Sequence, residues 1–269
     1  TRIETLIRDP YSIYAEHVLD LTPVDAIATA PDLAKRGTVI HAAIGDFLGA
    51  HPGRLPDNAL AVLIACGRHH FEDLREHPSA FSFWWPRFER IAAWLVGEEQ
   101  SQRDHVRRTF AEIAGALELE VTGGSFLLTC RADRIDMLTD GTARIVDYKT
   151  GAVPTAKQVQ SGLSPQLTLQ AAILEGGGFL GLDAKICSEL VYIRLGGGEP
   201  AGEYRRLKLD ADVMTVAHRH RDGLLRLLEV YARPEQCYLP RIQVEREDEE
   251  RDYDHLSRFR EWALSGKAS

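Results

Sequence analysis

In "DLAKRGTVIHAAIGDFLGA", residues 32 to 50, Ile40, Ala43, Ile44, Phe47 and Leu48 recur at i, i+3, i+4, i+7 and i+8. That spacing predicts a helix with one apolar face. His41 lies on the flank of the stripe, and Gly37 falls inside the helix, where it costs up to about 1 kcal/mol relative to Ala. A glycine there predicts close approach of another backbone or a ligand. "HPGRLP" ends the segment. From Asp57 to Ala116 the pattern stays helical, through Leu60, Leu63, Ile64, Phe71 and Leu74 and on into "FSFWWPRFERIAAWLVGEEQ". Pro86 is predicted to open the last of these helices, because the first helical position tolerates a residue without an N–H. Phe81, Phe83, Trp84, Trp85, Phe88 and Trp94 are assigned to core packing ahead of the alternative, a platform for stacking bases.

The texture changes at Leu117. "LELEVTG", "GSFLLTCRADRID" and "GTARIVDYKTG" are apolar or alternating runs separated by Gly-Gly and Asp-Gly, which predicts a three-stranded antiparallel meander. "SPQLTLQAAILEG" follows as a helix stopped by "GGG", "CSELVYIRLGG" as a strand, and "DADVMTVAHRHRDGLLRLLEVYA" as a long amphipathic helix capped by Asp210. No repeat or linker divides the chain. The expectation is one α+β domain over residues 1–269 with a helical insertion. Residues 32–116 form its mostly helical part, 117–232 its α/β core and 233–269 a C-terminal tail.

Composition narrows the class. The 269 residues carry 44% hydrophobic and 27% charged positions, as in ordinary globular proteins, with no apolar run long enough to span a membrane. The expectation is a cytoplasmic protein without a membrane partner. The first residues show neither a basic-then-apolar leader nor an initiator Met, which reads as a piece of a longer polypeptide without a signal peptide. Cys66, Cys130, Cys187 and Cys237 are scattered and never form a C-x-x-C pair, so neither a disulfide framework nor a zinc ribbon is expected. A net charge of −8 argues at first sight against a nucleic-acid partner, yet "EREDEERDYD" at 245–254 alone carries seven acids against two Arg. The rest of the surface is then nearly neutral, and the run reads as a solvated segment.

The candidate chemistry centres on "IVDYKTG", residues 145–151. In a strand Asp147 and Lys149 share a face, while Val146 and Tyr148 share the other. An edge-strand salt bridge is the plain reading, and a metal-binding carboxylate beside a catalytic cation is the sharper one. Asp133, near the end of the preceding strand, becomes a cross-strand neighbour of Asp147 if a tight Asp140-Gly141 turn joins the strands. Two adjacent carboxylates repel unless a cation neutralises them, and Mg²⁺ or Mn²⁺ suits their hard oxygens.

"RGTVIH" at 36–41, "RADRID" at 131–136, "VDYKTG" at 146–151 and "PQLTL" at 165–169 occur in this order. Together they resemble the RecB-like branch of the PD-(D/E)XK nucleases, whose core is a mixed sheet flanked by helices. Over nearly the whole chain the resemblance is to the nuclease domains of the AddB family, alphaproteobacterial type. It implies a Mg²⁺-dependent deoxyribonuclease that cuts single-stranded DNA during double-strand break repair, beside an AddA-like helicase–nuclease partner subunit. His41, Asp133, Asp147 and the main-chain carbonyl of Tyr148 would be metal ligands. Asp133, Asp147 and Lys149 would be catalytic, with Gln166 close to the DNA. Asp136 competes with Asp133 in "RADRID", but the family pattern makes the first the ligand, leaving Asp136 to pair with Arg134 or close the turn. Two departures matter. Gln170 stands where many relatives have Tyr, and the tail holds a lone Cys237 where other AddB proteins carry cluster-binding cysteines. No iron–sulfur cluster is therefore expected, and packing must hold the tail. The alternative is a nuclease fold without catalysis that guides DNA or braces a partner.

Overall fold

Asp32 starts the helix that carries His41, because its side chain accepts the Lys35 N–H at 2.8 Å. A computed structural model describes residues 2–23, 31–241, 252–259 and 261. Two helices, α1 (Arg2–Arg8) and α2 (Pro10–His17), precede α3 (Leu33–Ala50), which buries Ile40, Ala43, Ile44, Phe47 and Leu48 as its periodicity requires. Two further helices, α4 (Ala59–His70) and α5 (Pro78–Gln102), complete the helical part. Pro78, not Pro86, occupies the first turn of α5, and Pro86 lies inside it. A 25-residue helix with its apolar face packed in a core tolerates the one ladder hydrogen bond that Pro86 cannot make.

The helical part also ends earlier than Ala116. The first strand, β1 (Val106–Val121), takes up "FAEIAGALELE", whose Ala, Glu and Leu favour helix locally. Pairing overrides that preference: β1 runs antiparallel to β2 (Gly124–Leu138) from Val106 opposite Leu138 to Val121 opposite Gly124. The meander continues through Asp140-Gly141, where Gly141 has φ of 86° and Asp140 accepts the Thr142 N–H, into β3 (Ala143–Lys149). The chain then crosses over through α6 (Ala156–Gln160) and α7 (Gln166–Glu175) to β4 (Cys187–Leu195), which lies parallel to β3. A short antiparallel edge strand, β5 (Gly202–Arg206), was not foreseen in "AGEYRR". The last long helix, α8 (Val213–Tyr231), is capped by Asp212 rather than Asp210, since Asp212 accepts the Thr215 N–H. Asp210 instead pairs with Arg219.

The sheet order β1-β2-β3-β4-β5 places β3 at the centre, so "IVDYKTG" is not an edge strand. Its alternate residues feed two cores. Val146 and Tyr148 pack with α3, α4 and α5, whereas Ile145 packs with α7 and α8. Asp147 and Lys149 therefore belong to the α7 face. On the other face, behind them, lies a buried ionic network. Arg134 binds Glu99 of α5 and donates to Asp136 at 2.7 Å, Arg144 donates to the other Asp136 oxygen at 3.0 Å, and Thr109 adds a third donor at 2.8 Å. The Tyr148 hydroxyl completes it, accepting from Arg134 at 3.4 Å.

The tail closes on the first two helices. Asp9 accepts the Arg241 N–H at 3.0 Å and Leu239 accepts the Tyr11 N–H at 3.2 Å. The Arg241 guanidinium holds Asp254, at the start of α9 (Asp254–Ser257), and the Tyr253 hydroxyl donates to the Leu21 carbonyl at 2.8 Å. Most of the acidic run 245–254 lies outside the described residues. Among the described residues no helix is long and apolar enough to cross a membrane.

Candidate active site

The β2–β3 ladder pairs Arg134 with Val146, and one further step along that register sets Asp133 opposite Asp147. Each carboxylate is already held. Asp133 Oδ2 accepts the Tyr148 backbone N–H at 3.0 Å and stands 3.5 Å from His41 Nδ1, which reaches over from α3. Asp147 Oδ1 accepts from Gln166 Nε2 at 2.6 Å, and Lys149 Nζ stands 2.7 Å from Oδ2. Gln166 is placed by the start of α7, which follows the crossover from β3. The structure thus brings together His41, Asp133, Asp147, Lys149 and Gln166. Tyr148 contributes its backbone N–H to Asp133 while its ring turns to the opposite core.

Asp136 has a different neighbourhood. It is fully buried among Arg134, Arg144 and Thr109, whose charges and hydrogen bonds hold its carboxyl below the ordinary value despite the burial. That separates the two carboxylates of "RADRID": one faces the site and the other is neutralised behind it.

Electrostatics at the site follow from burial. Asp147 is 2% exposed; burial raises its carboxyl to about 6, with Lys149 pulling down and Asp133 pushing up. Burial also raises Asp133, opposed by the Tyr148 N–H and by Lys149. The His41 imidazole is lowered, chiefly by burial, so at neutral pH it is uncharged and keeps a ring-nitrogen lone pair. Glu112 is a site residue that the pattern did not reveal. It sits in β1 with φ of 50°, and its side chain lies so close to α3 that a Cβ at Gly45 would be 2.8 Å from its Cγ. Its charge bears on both His41 and Asp133, and Arg131 pairs with it at 2.8 Å. The left-handed backbone of a non-glycine residue was its only signal, and that is a property of the fold. Gln170, one turn beyond Gln166, is buried, and its Oε1 has no hydrogen-bond partner.

Beside Lys149 and Gln166 opens a cleft of about 260 Å³, walled by Tyr192, Arg8, Gln158 and Ser164. Lys149 Nζ lies 5.9 Å from the Tyr192 ring centroid.

Whether this site suits a divalent ion turns on its donors. Two opposed carboxylates and an uncharged imidazole, with the buried Asp147 Oδ2 met only by the Lys149 ammonium, form the oxygen-rich set that hard cations take. Among the described residues no three His, Cys, Asp or Glu side chains already converge on one point. The reason is visible: Lys149 neutralises Asp147, and Asp133 is turned to the Tyr148 N–H. The donor set fits a cation that displaces the Lys149 ammonium from Asp147.

The sequence profile of the PD-(D/E)XK nuclease superfamily matches residues 1–262, and the chain belongs to that superfamily. The fold agrees, as a mixed sheet flanked by helices. Members typically use divalent metals. An uncharacterized protein of Rickettsia bellii (strain RML369-C) is 27% identical over 246 residues, covering 87% of this chain and 29% of that protein. One from Rickettsia typhi (strain ATCC VR-144 / Wilmington) is also 27% identical, over 86% of this chain and 31% of its own length. The chain thus spans about a third of the length of these curated relatives. Among solved structures, the crystal structure of SSO0001 aligns with 81% of this chain and 84% of its own, at 12% identity and a TM-score of 0.30.

Proposed function

We propose that this chain is a Mg²⁺-dependent deoxyribonuclease domain that hydrolyses single-stranded DNA, as part of an AddB-type subunit working in the cytoplasm beside an AddA-like helicase–nuclease partner. The observation that carries the catalytic reading is the opposition of Asp133 and Asp147 across β2 and β3, with Lys149 beside Asp147. His41, Asp133, Asp147 and the Tyr148 carbonyl would hold the ion. When bound, Mg²⁺ or Mn²⁺ supplies a Lewis acid and an acidified water.

The chain's own groups do the rest. Asp147 is ionised at neutral pH, since its carboxyl titrates at about 6. Lys149, exchanging its Asp147 partner for the substrate, orients the attacking water or balances the charge that grows on the phosphoryl oxygens. Gln166 keeps Asp147 Oδ1 in place and stands at the mouth of the cleft, where the DNA backbone passes. In-line displacement of the 3′ oxygen leaves 5′-phosphate ends.

The test is cleavage of end-labelled single-stranded DNA with Mg²⁺, Mn²⁺ or EDTA, comparing the chain with Lys149→Ala. Metal-dependent products that vanish in the variant are expected. No products under any metal, together with no calorimetric metal binding, would leave only the scaffold reading.

A further inference from the structure

Beside the C-terminal end of β3 lies a group of cations that the proposed catalysis does not use. Arg36, in the first turns of α3, donates from its guanidinium to the Thr150 carbonyl at 3.0 Å, directly after Lys149. Its Nε is buried without a hydrogen-bond partner. Gly37 permits this approach, since a Cβ there would stand 3.0 Å from Thr150 Oγ1. Burial and then the nearby Arg87 charge make the charged form of Arg36 costly. Arg87, on α5, packs against the loop after β4: a Cβ at Gly197 would be 2.6 Å from the Arg87 Cβ, and Arg90 donates to the Gly197 carbonyl at 2.8 Å. In the β3–β4 ladder the exposed Arg194 is registered beside Lys149.

Neither Arg36 nor Arg87 has an ion-pair partner among the described residues. Elsewhere in this fold the half-buried or buried arginines Arg103, Arg134, Arg144 and Arg241 are all matched to carboxylates. Arg36, on the Thr150 carbonyl after β3, and Arg87, against Gly197 after β4, stand at the ends of two strands paired in parallel, and an anion between these unmatched guanidiniums removes their repulsion. A phosphodiester suits them because guanidinium forks bind its oxygens in pairs. Next to them is an aromatic ring that the core does not take. Trp84 and Phe88 are buried and Phe81 stacks on Trp85, but Phe83 is 55% exposed, with the Arg87 guanidinium 3.6 Å from its ring centroid.

We propose that Arg36 and Arg87 hold a backbone phosphate next to the scissile one, and that Phe83 stacks on an unpaired base of the same strand. This deepens, and rests on, the reading of the site as a nuclease acting on single-stranded DNA. A base in a duplex has both faces stacked and its edge paired, so an open ring beside a phosphate clamp favours a single strand. The face thereby selects strand state, which the two carboxylates and Lys149 have no means of reading.

The test pairs binding with cleavage. Binding of fluorescein-labelled oligothymidylate, alone or annealed to its complement, is followed by anisotropy in EDTA for the chain, Arg36→Gln/Arg87→Gln, Phe83→Ala and Phe83→Trp. Melting temperatures of all four are recorded. The double variant should weaken single-strand binding about tenfold and lower the salt slope by roughly 0.7, the share of one phosphate. Phe83→Ala should lose most of the preference for single over double strand, and Phe83→Trp should keep it. In cleavage the losses should fall on KM more than on kcat. Unchanged binding and strand preference in folded Phe83→Ala and in the double variant would overturn the inference, whatever the nuclease does. Loss of binding in a chain that cleaves nothing would retain this strand site and sink the nuclease reading instead.

Discussion

Asp147 is the residue on which catalysis and stability meet. Its carboxyl titrates at about 6 in the fold against an ordinary 3.8, because burial disfavours its charge. Between those values the folded chain holds a proton that the unfolded chain releases. In EDTA this group's contribution to stability therefore falls as pH rises from about 4 through about 6, by on the order of 3 kcal/mol. His41 works in the opposite sense, since a lowered imidazole loses stability as pH falls. Asp147→Asn isolates the carboxylate: the difference in urea midpoint between chain and variant should widen from pH 4.5 to pH 7.5, with the variant gaining relative to the chain as Asp147 ionises, and added Mg²⁺ should narrow it. A pH-independent difference would contradict the burial argument. Asp147→Ala should abolish cleavage with the fold intact, read by metal-dependent products and by circular dichroism. At this scale the sequence was informative about residue types and poor about surroundings. "RADRID" offers two carboxylates, and the expected pairing of Asp136 with Arg134 is present, but Arg144 and Thr109, which complete its surroundings, come from other strands and were not foreseen.

At the scale of elements, the helix α5 and the strand β2 are joined through Glu99 and Arg134, both buried. Because Arg134 also donates to Asp136 and to the Tyr148 hydroxyl, the same side chain fixes the strands that carry Asp133 and Asp147. Glu99→Ala leaves a buried guanidinium short of one counter-charge and should cost about 3–5 kcal/mol. Chemical denaturation measures this, and a loss below about 1 kcal/mol would mean that Asp136 alone neutralises Arg134. Periodicity located α3 and α8 because each has a face whose burial repeats with the helical period, whereas α7, β2 and β3 were located as apolar runs bounded by turn residues, α7 and β3 being buried nearly throughout. It failed at β1 and β5. In β1 the residue preferences favour helix and only the long pairing with β2 decides, while β5 is five residues, three of them charged, with no apolar alternation of its own, and only its antiparallel pairing with the preceding β4 makes it a strand.

For the whole molecule, the tail is pinned to the first helices by hydrogen bonds centred on Asp9, which is buried and also accepts from Ser12 at 2.6 Å. Asp9→Ala should cost about 1–3 kcal/mol through the unsatisfied donors it leaves. Limited proteolysis should then cut near residues 238–241 faster than in the unaltered chain. Equal rates would mean that the tyrosine contacts around Tyr14 and Tyr238 hold the tail alone.

The sequence by itself determined the class of this protein and its main parts. The ordered motifs around His41, Asp133, Asp147, Lys149 and Gln166 are local strings, and their face assignments follow from the periods of strand and helix. Tertiary structure decided what depends on partners distant in the chain: the register that opposes Asp133 to Asp147, the second cation, Arg144, on Asp136, the approach of Glu112 to α3, and the placing of Arg36 and Arg87 at the ends of the paired strands β3 and β4. Burial and charge pairing are properties of neighbours in space, and the linear order of residues does not carry them.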